Sequence, residues 1–155
     1  MLALDVPGFG SLRLERLFLD FNGTLAHDGM RIPGVRERLN ALAAVVDCAV
    51  LTADTNGTAR HELDGICPVT LLPPGPEDEA KLAILDAAGA EGTAYVGNGA
   101  NDVLALGAAR LGVAVLGGEG ASPTALAAAD VVVTDILHAL DLFLFPSRLL
   151  ATLRR

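Results

Sequence analysis

An α/β fold, a parallel sheet flanked by helices, is predicted by three features of the sequence. Short β-type runs alternate with segments of helical period almost from end to end, the pattern of strands joined by helical crossovers. Polar and glycine-rich residues cluster just after several of the strand-like runs, where open α/β sheets bind their ligands. The length, 155 residues, suits one domain over residues 1–155 with an ordinary hydrophobic core and no need of disulfide staples.

The elements follow in order. Leu2 to Val6 and Ser11 to Leu14 flank the turn-rich Pro7-Gly8-Phe9-Gly10 and read as a short hairpin. The apolar run Leu17-Phe18-Leu19 is the first central strand, ending at Asp20. Pro33 is expected in the first turn of a helix whose apolar positions Val35, Leu39, Leu42 and Val46 recur at helical spacing. A strand over Ala49 to Thr52, a short helix from Gly57 to Leu63 and a strand from Val69 to Leu72 come next. The connector Pro73-Pro74-Gly75-Pro76 precedes a helix from Glu77 to Ala88 that Gly89 ends. Strands at Ala94 to Val96 and Val113 to Leu116 bracket a helix predicted from Asp102 to Arg110. An alanine-rich helix from about Ser122 leads into Val131-Val132-Val133, and the tail reads as two short helices, Ile136 to Phe145 and Ser147 to Leu153, split at Pro146.

Composition excludes several classes of function. Nineteen acidic against 11 basic residues leave a net charge of −8, with one lysine and no basic stripe, so neither nucleic acid nor an anionic membrane is an expected partner. Charges break every apolar stretch well short of the roughly 18 residues a membrane span needs. Asp5 interrupts the N-terminal segment where an export signal would be basic and then apolar. Cys48 and Cys67 lack any metal-ligand or redox spacing and read as buried free thiols, which implies a reducing, cytoplasmic setting. The hydrophobic share, 52%, is high for such a chain and points to homo-oligomer formation.

The polar residues at the strand ends are Asp20-Phe21-Asn22-Gly23-Thr24, then Thr52-Ala53-Asp54, then Gly97-Asn98-Gly99-Ala100-Asn101-Asp102, with Lys81 on the helix before the last group. They supply a carboxylate nucleophile, a glycine turn, a hydroxyl, a cation and oxygen ligands suited to Mg²⁺. This set, in this order, resembles the haloacid dehalogenase-like superfamily, whose motifs run D-x-D-G-T, Ser/Thr, Lys and G-D-x-x-x-D or G-D-G-x-N-D. The resemblance spans residues from about 15 to 135, and within the superfamily the chain looks most like small soluble proteins similar to the catalytic core of P-type ATPases.

The resemblance implies a Rossmann-like core with a β-hairpin flap and a phosphoryl transfer through an aspartyl phosphate on Asp20. Asn22, Gly23 and Thr24 would offer backbone N–H groups to the phosphate, together with the Thr52 hydroxyl, the Lys81 ammonium and Asn101. Asp20, the Asn22 carbonyl, Asn98 and Asp102 would hold Mg²⁺. The substrate class is a phosphorylated compound of unidentified structure.

Two positions depart from the family pattern. Asn22 stands where most phosphatases of the family place an aspartate that protonates the leaving group and then activates water; an amide does neither. That help is worth about 10²–10⁴ in rate, so a slow hydrolase is expected unless the leaving group is good or another group supplies the base. Asn98 replaces an acidic metal ligand and lowers the charge of the metal site. Both changes leave two alternatives open: a metal-free dehalogenase in which Asp20 attacks carbon, and a binding or regulatory module that turns nothing over. Asp54 is read as a helix cap, and His27 and Asp28 as flap residues beside the site. Thr52 lies 32 positions after Asp20 and Lys81 29 after Thr52, too few to insert a cap domain, so the site should be open.

Overall fold

The computed structural model describes residues Met1–Arg155. Six parallel strands form the central sheet in the order β10-β9-β8-β3-β6-β7, with β3 (Arg16–Leu19) between β8 (Thr93–Gly97) and β6 (Asp47–Thr52). The edges are β7 (Val69–Leu71) and β10 (Val131–Val133), the latter paired with β9 (Leu111–Val115). The predicted hairpin is β1 (Leu2–Val6) and β2 (Gly10–Leu14), and the flap is the two-residue pair β4 (Ala26–His27) and β5 (Met30–Arg31).

Side chains of the central strands alternate between two cores, as the period of a strand requires. Leu17, Leu19, Val50, Ala94, Val96, Leu111, Val113 and Val115 face a cluster shared with α1 (Val35–Leu42), α6 (Ile136–Leu144), α7 (Pro146–Leu153) and the N-terminal hairpin. Phe18, Leu51, Tyr95 and Ala114 face the opposite side, against α3 (Glu77–Ala88), α4 (Val103–Ala108) and α5 (Pro123–Ala128). Because both faces are covered, the strands carry near-continuous apolar runs. Asp141 of α6 accepts from Arg38 Nε at 2.7 Å and Arg148 Nη1 at 3.3 Å, tying α1, α6 and α7 together; the Arg38 hydrogen bond, more than its charge, holds the Asp141 carboxyl below the ordinary value. The flap and α1 lie between β3 and β6, and only the short α2 (Ala59–Glu62) lies between β6 and β7; there is no cap domain.

Several boundaries differ from expectation; α1 ends at Leu42, so Val46 lies beyond it, and α2 spans only Ala59–Glu62 of the predicted Gly57 to Leu63. α1 starts at Val35 behind Gly34, whose φ of +92° is left-handed, so Pro33 precedes the helix instead of opening it. The predicted helix from Asp102 to Arg110 is a 3₁₀ turn over Ala100–Asp102 followed by α4, and β9 begins at Leu111 because that residue pairs with Ala94 of β8. Pro146 is the first residue of α7, not a gap between helices, and α6 and α7 meet at a bend of 102°. No single helix is long and apolar enough to cross a membrane.

Candidate active site

The four motif segments meet at the carboxyl ends of β3, β6 and β8, brought together by the parallel pairing of those strands. Asp20 follows β3 directly, Thr52 ends β6, Asn98 follows β8, and Lys81 points in from the second turn of α3. After Asp20 the chain folds back at once: Gly23 N–H donates to Ala26 O, while Thr24 and Ala26 N–H both donate to Phe21 O. Gly23 has φ +76°, and a Cβ there would lie 2.4 Å from Asn98 Nδ2, so no side chain fits between this turn and the loop after β8. Thr24 Oγ1 donates to Asn98 Oδ1 and Asn98 Nδ2 to Gly120 O, which fixes that approach.

At the floor lies a buried charge network. Lys81 Nζ is 3.0 Å from Asp20 Oδ1 and 2.7 Å from Asp102 Oδ1; Lys81 and Asp102 are fully buried and the Asp20 side chain is 8% exposed. Tyr95 OH also donates to Asp102 Oδ1 at 2.6 Å, and the N–H groups of Asn98 and Gly99 donate to Asp102 Oδ2 at 2.9 and 2.8 Å. Gly97 makes room for this carboxylate, since a Cβ there would fall 2.4 Å from Asp102 Cγ. Burial first, and the Asp102 charge second, push the Asp20 carboxyl up to about 7 against the opposing pull of Lys81. Burial pulls the Lys81 ammonium down, but Asp20 and Asp102 outweigh it and hold it above the ordinary lysine value. Burial and the same two carboxylates keep Tyr95 protonated far above its ordinary value, as a hydroxyl donor to Asp102 must be.

Above this floor opens a cavity of about 230 Å³ lined by Asp20, Asn22, Thr52, Ala53, Asp54, Thr55, Glu77, Asn98, Gly99 and Asn101. Thr52 Oγ1 accepts from the Asp54 N–H at 2.9 Å, which leaves its own hydrogen to donate into the cavity. The Asn22 side chain spans to the loop after β6, donating from Nδ2 to Thr55 Oγ1 at 3.2 Å and accepting from Asn56 Nδ2 at 3.0 Å. Asp54 Oδ1 accepts from the Thr58 and Ala59 N–H groups, both at 2.9 Å, and so caps α2 as expected. A larger groove of about 510 Å³ runs along α2 and the edge strand β7, away from the motif residues.

Several expectations need correction. The N–H groups of Gly23 and Thr24 are spent closing the turn, so of the three predicted donors only that of Asn22 takes no partner within the protein. Asn101 Nδ2 gives one of its two N–H groups to Glu77 Oε2, so at most one remains for a phosphate. Asp102 is saturated by four donors and holds Lys81 and the loop after β8, leaving no oxygen free for an ion. His27 packs against the bare backbone of Gly118, and its Nε2 is 3.5 Å from Asp28. No group of three or more His, Cys, Asp or Glu side chains converges as a metal cluster. Oxygen donors remain at Asp20, the Asn22 carbonyl and Asn98, a set with one carboxylate; it fits Mg²⁺, which keeps several waters and is commonly bound through one or two carboxylates plus substrate phosphate.

Tyr95 and Glu77 were missed in the sequence. Tyr95 is the chain's one tyrosine, placed by strand alternation on the face that receives α3; Glu77 lies one helical turn before Lys81, a spacing that puts both on one side of α3.

No protein-family model matches the chain. An uncharacterized protein of Methanocaldococcus jannaschii is 45% identical over 84 residues, covering 52% of this chain and 90% of that protein. Among solved structures, the cobalt-bound form of the deoxy-D-mannose-octulosonate 8-phosphate phosphatase from Haemophilus influenzae is similar with a TM-score of 0.68 at 21% identity, over 85% of this chain and 88% of that chain. A 3-deoxy-D-manno-octulosonate 8-phosphate phosphatase from Moraxella catarrhalis, in complex with magnesium, phosphate and KDO, gives 0.66 at 17% identity over 90% of each chain. A protein from Legionella pneumophila described as a HAD superfamily (subfamily III A) hydrolase gives 0.68 at 21% identity, over 91% of this chain and 87% of that one. The chain thus has the haloacid dehalogenase-like fold without a cap, and it belongs to one family with the Methanocaldococcus jannaschii protein.

Proposed function

We propose that the chain is a Mg²⁺-dependent phosphatase or phosphotransferase that works through phosphorylated Asp20. The observation that carries this reading is the cavity itself: a carboxylate on its floor, braced by a buried ammonium, beneath a free hydroxyl donor and an unspent backbone N–H. Asp20 attacks phosphorus through its oxygen not bonded to Lys81. The Lys81 ammonium, the Thr52 hydroxyl and the Asn22 N–H hold the phosphoryl oxygens as charge spreads over them. Asp102 and Tyr95 keep Lys81 in place from behind. Mg²⁺, held by Asp20, the Asn22 carbonyl and Asn98, would offset the repulsion between carboxylate and phosphate. With Asn22 in the position of the usual acid, that position gives no acid–base help, so turnover is slow unless another group moves the proton. A phosphorylated compound small enough for an open, capless cavity, or a phosphorylated segment of a larger molecule, is the substrate.

Only one apolar residue, Ala53, lines the cavity, which disfavours the dehalogenase alternative because a halide leaving group needs an apolar pocket. Trapping with Mg²⁺ and beryllium fluoride tests the phosphoenzyme: a tight Mg²⁺-dependent adduct on Asp20 is expected, and its absence would leave the inert-module alternative. Homo-oligomer formation is part of the proposal, supported by the exposed Met30 of the flap and Leu116 after β9. Light scattering at micromolar concentration is expected to give a multiple of the chain mass; a monomeric mass refutes it. The free thiols of half-buried Cys48 and buried Cys67 support a cytoplasmic setting.

A further inference from the structure

Three carboxylates line the 230 Å³ cavity: Asp20, Asp54 and Glu77. Asp20 is the nucleophile, and Asp54 has an oxygen committed to the start of α2. Glu77 is different. It is half-buried in the first turn of α3, its Oε2 accepts from Asn101 Nδ2, and its Oε1 takes no partner within the protein. Lys81 follows four residues later on the same helix face, about 6 Å further along the axis. In a β-α-β unit the helix begins at the carboxyl ends of the strands, so Glu77 stands nearer the mouth of the cavity and Lys81 nearer its floor. The leaving oxygen of a phosphoryl group attacked in line lies opposite Asp20, toward the mouth of the cavity, the end at which Glu77 stands.

We propose that Glu77 is the proton-transfer group of the reaction, taking the part that Asn22 cannot, and that Asn101 is its positioning residue. The proposal rests on the aspartyl-phosphate reading. In the first half, the Asp20 oxygen bonds to phosphorus, the P–O bond to the leaving group breaks, and the leaving oxygen takes the Glu77 carboxyl proton. In the second half, water bonds to phosphorus as its proton passes to the Glu77 carboxylate and the P–O bond to Asp20 breaks. Inorganic phosphate departs, and both carboxyl groups return to their starting states.

The test compares the wild-type chain with Glu77→Gln on radiolabelled dinitrophenyl, nitrophenyl and phenyl phosphate, all with Mg²⁺. Glu77→Gln is expected to lose about 10²-fold or more in kcat/KM on phenyl phosphate and far less on dinitrophenyl phosphate, whose leaving group needs no proton. Labelled phosphoenzyme should also accumulate in the variant, because its second half lacks a base. Formate or azide should restore part of the lost rate to Glu77→Ala. A loss equal across the three esters, or no loss, with label present on wild-type Asp20, overturns the role of Glu77 alone. Absence of label from both proteins overturns the aspartyl-phosphate reading, and the proposal with it.

Discussion

Asp20→Asn is expected to abolish turnover of every phosphoester and, at pH 8 without metal, to raise the stability of the fold. The first effect follows from chemistry, since an amide is not a nucleophile toward phosphorus. The second follows from burial. The Asp20 carboxyl stands at about 7 in the folded chain against 3.8 as its ordinary value, because burial and Asp102 disfavour its charge more than Lys81 favours it. A group raised on folding contributes stability that is fully present below about pH 4 and lost as pH rises through about 7. The wild type should therefore weaken across that window on the order of a few kcal/mol. Asparagine accepts the Lys81 hydrogen bond and carries no charge, so the variant should lack this slope. Denaturant melts from pH 4 to 8, beside an aryl phosphatase assay, measure both. Residual turnover refutes Asp20 as nucleophile, and an unaltered pH slope refutes the account of its burial.

Asn22→Asp is expected to raise turnover on an aryl phosphate, modestly where Glu77 already moves the proton and, in a Glu77→Gln background, by a factor that approaches the 10²–10⁴ that acid–base catalysis typically supplies. The surroundings of position 22 are ready for a carboxylate. Asn56 Nδ2 already donates to the oxygen there, and the Thr55 hydroxyl, which now accepts from Asn22 Nδ2, can turn to donate. The added negative charge opposes phosphate binding and reduces the gain. The gain should be larger in a Glu77→Gln background, where no other group moves the proton. Steady-state kinetics of the single and double variants at saturating Mg²⁺ would show it; a rate unchanged in both backgrounds would mean that position 22 does not reach the leaving oxygen.

Local pattern alone sufficed for most elements. The alternation in Leu17-Phe18-Leu19, the repeat of Val35, Leu39 and Leu42, and the Gly89 stop of α3 each express a preference that tertiary packing reinforces. Where pattern and packing competed, packing prevailed: the helical period running to Arg110 was cut short because Leu111 pairs with Ala94.

The same division holds for the site. Asp20, Thr52, Lys81 and Asp102 stood out in the sequence because they follow strand-like runs in the order of the haloacid dehalogenase-like motifs, and the parallel sheet is what brings them together. The hydrogen-bond partners were not, since they depend on atoms far apart in sequence meeting within about 3 Å. Only the tertiary structure shows that Asp102 is consumed by Lys81, Tyr95 and two backbone N–H groups, that Gly23 and Thr24 spend their donors on their own turn, and that Glu77 stands over the same cavity as Asp20. A sequence determines which donors and acceptors exist and roughly where; burial decides which of them must satisfy one another, because an unpaired polar group costs most where water is excluded.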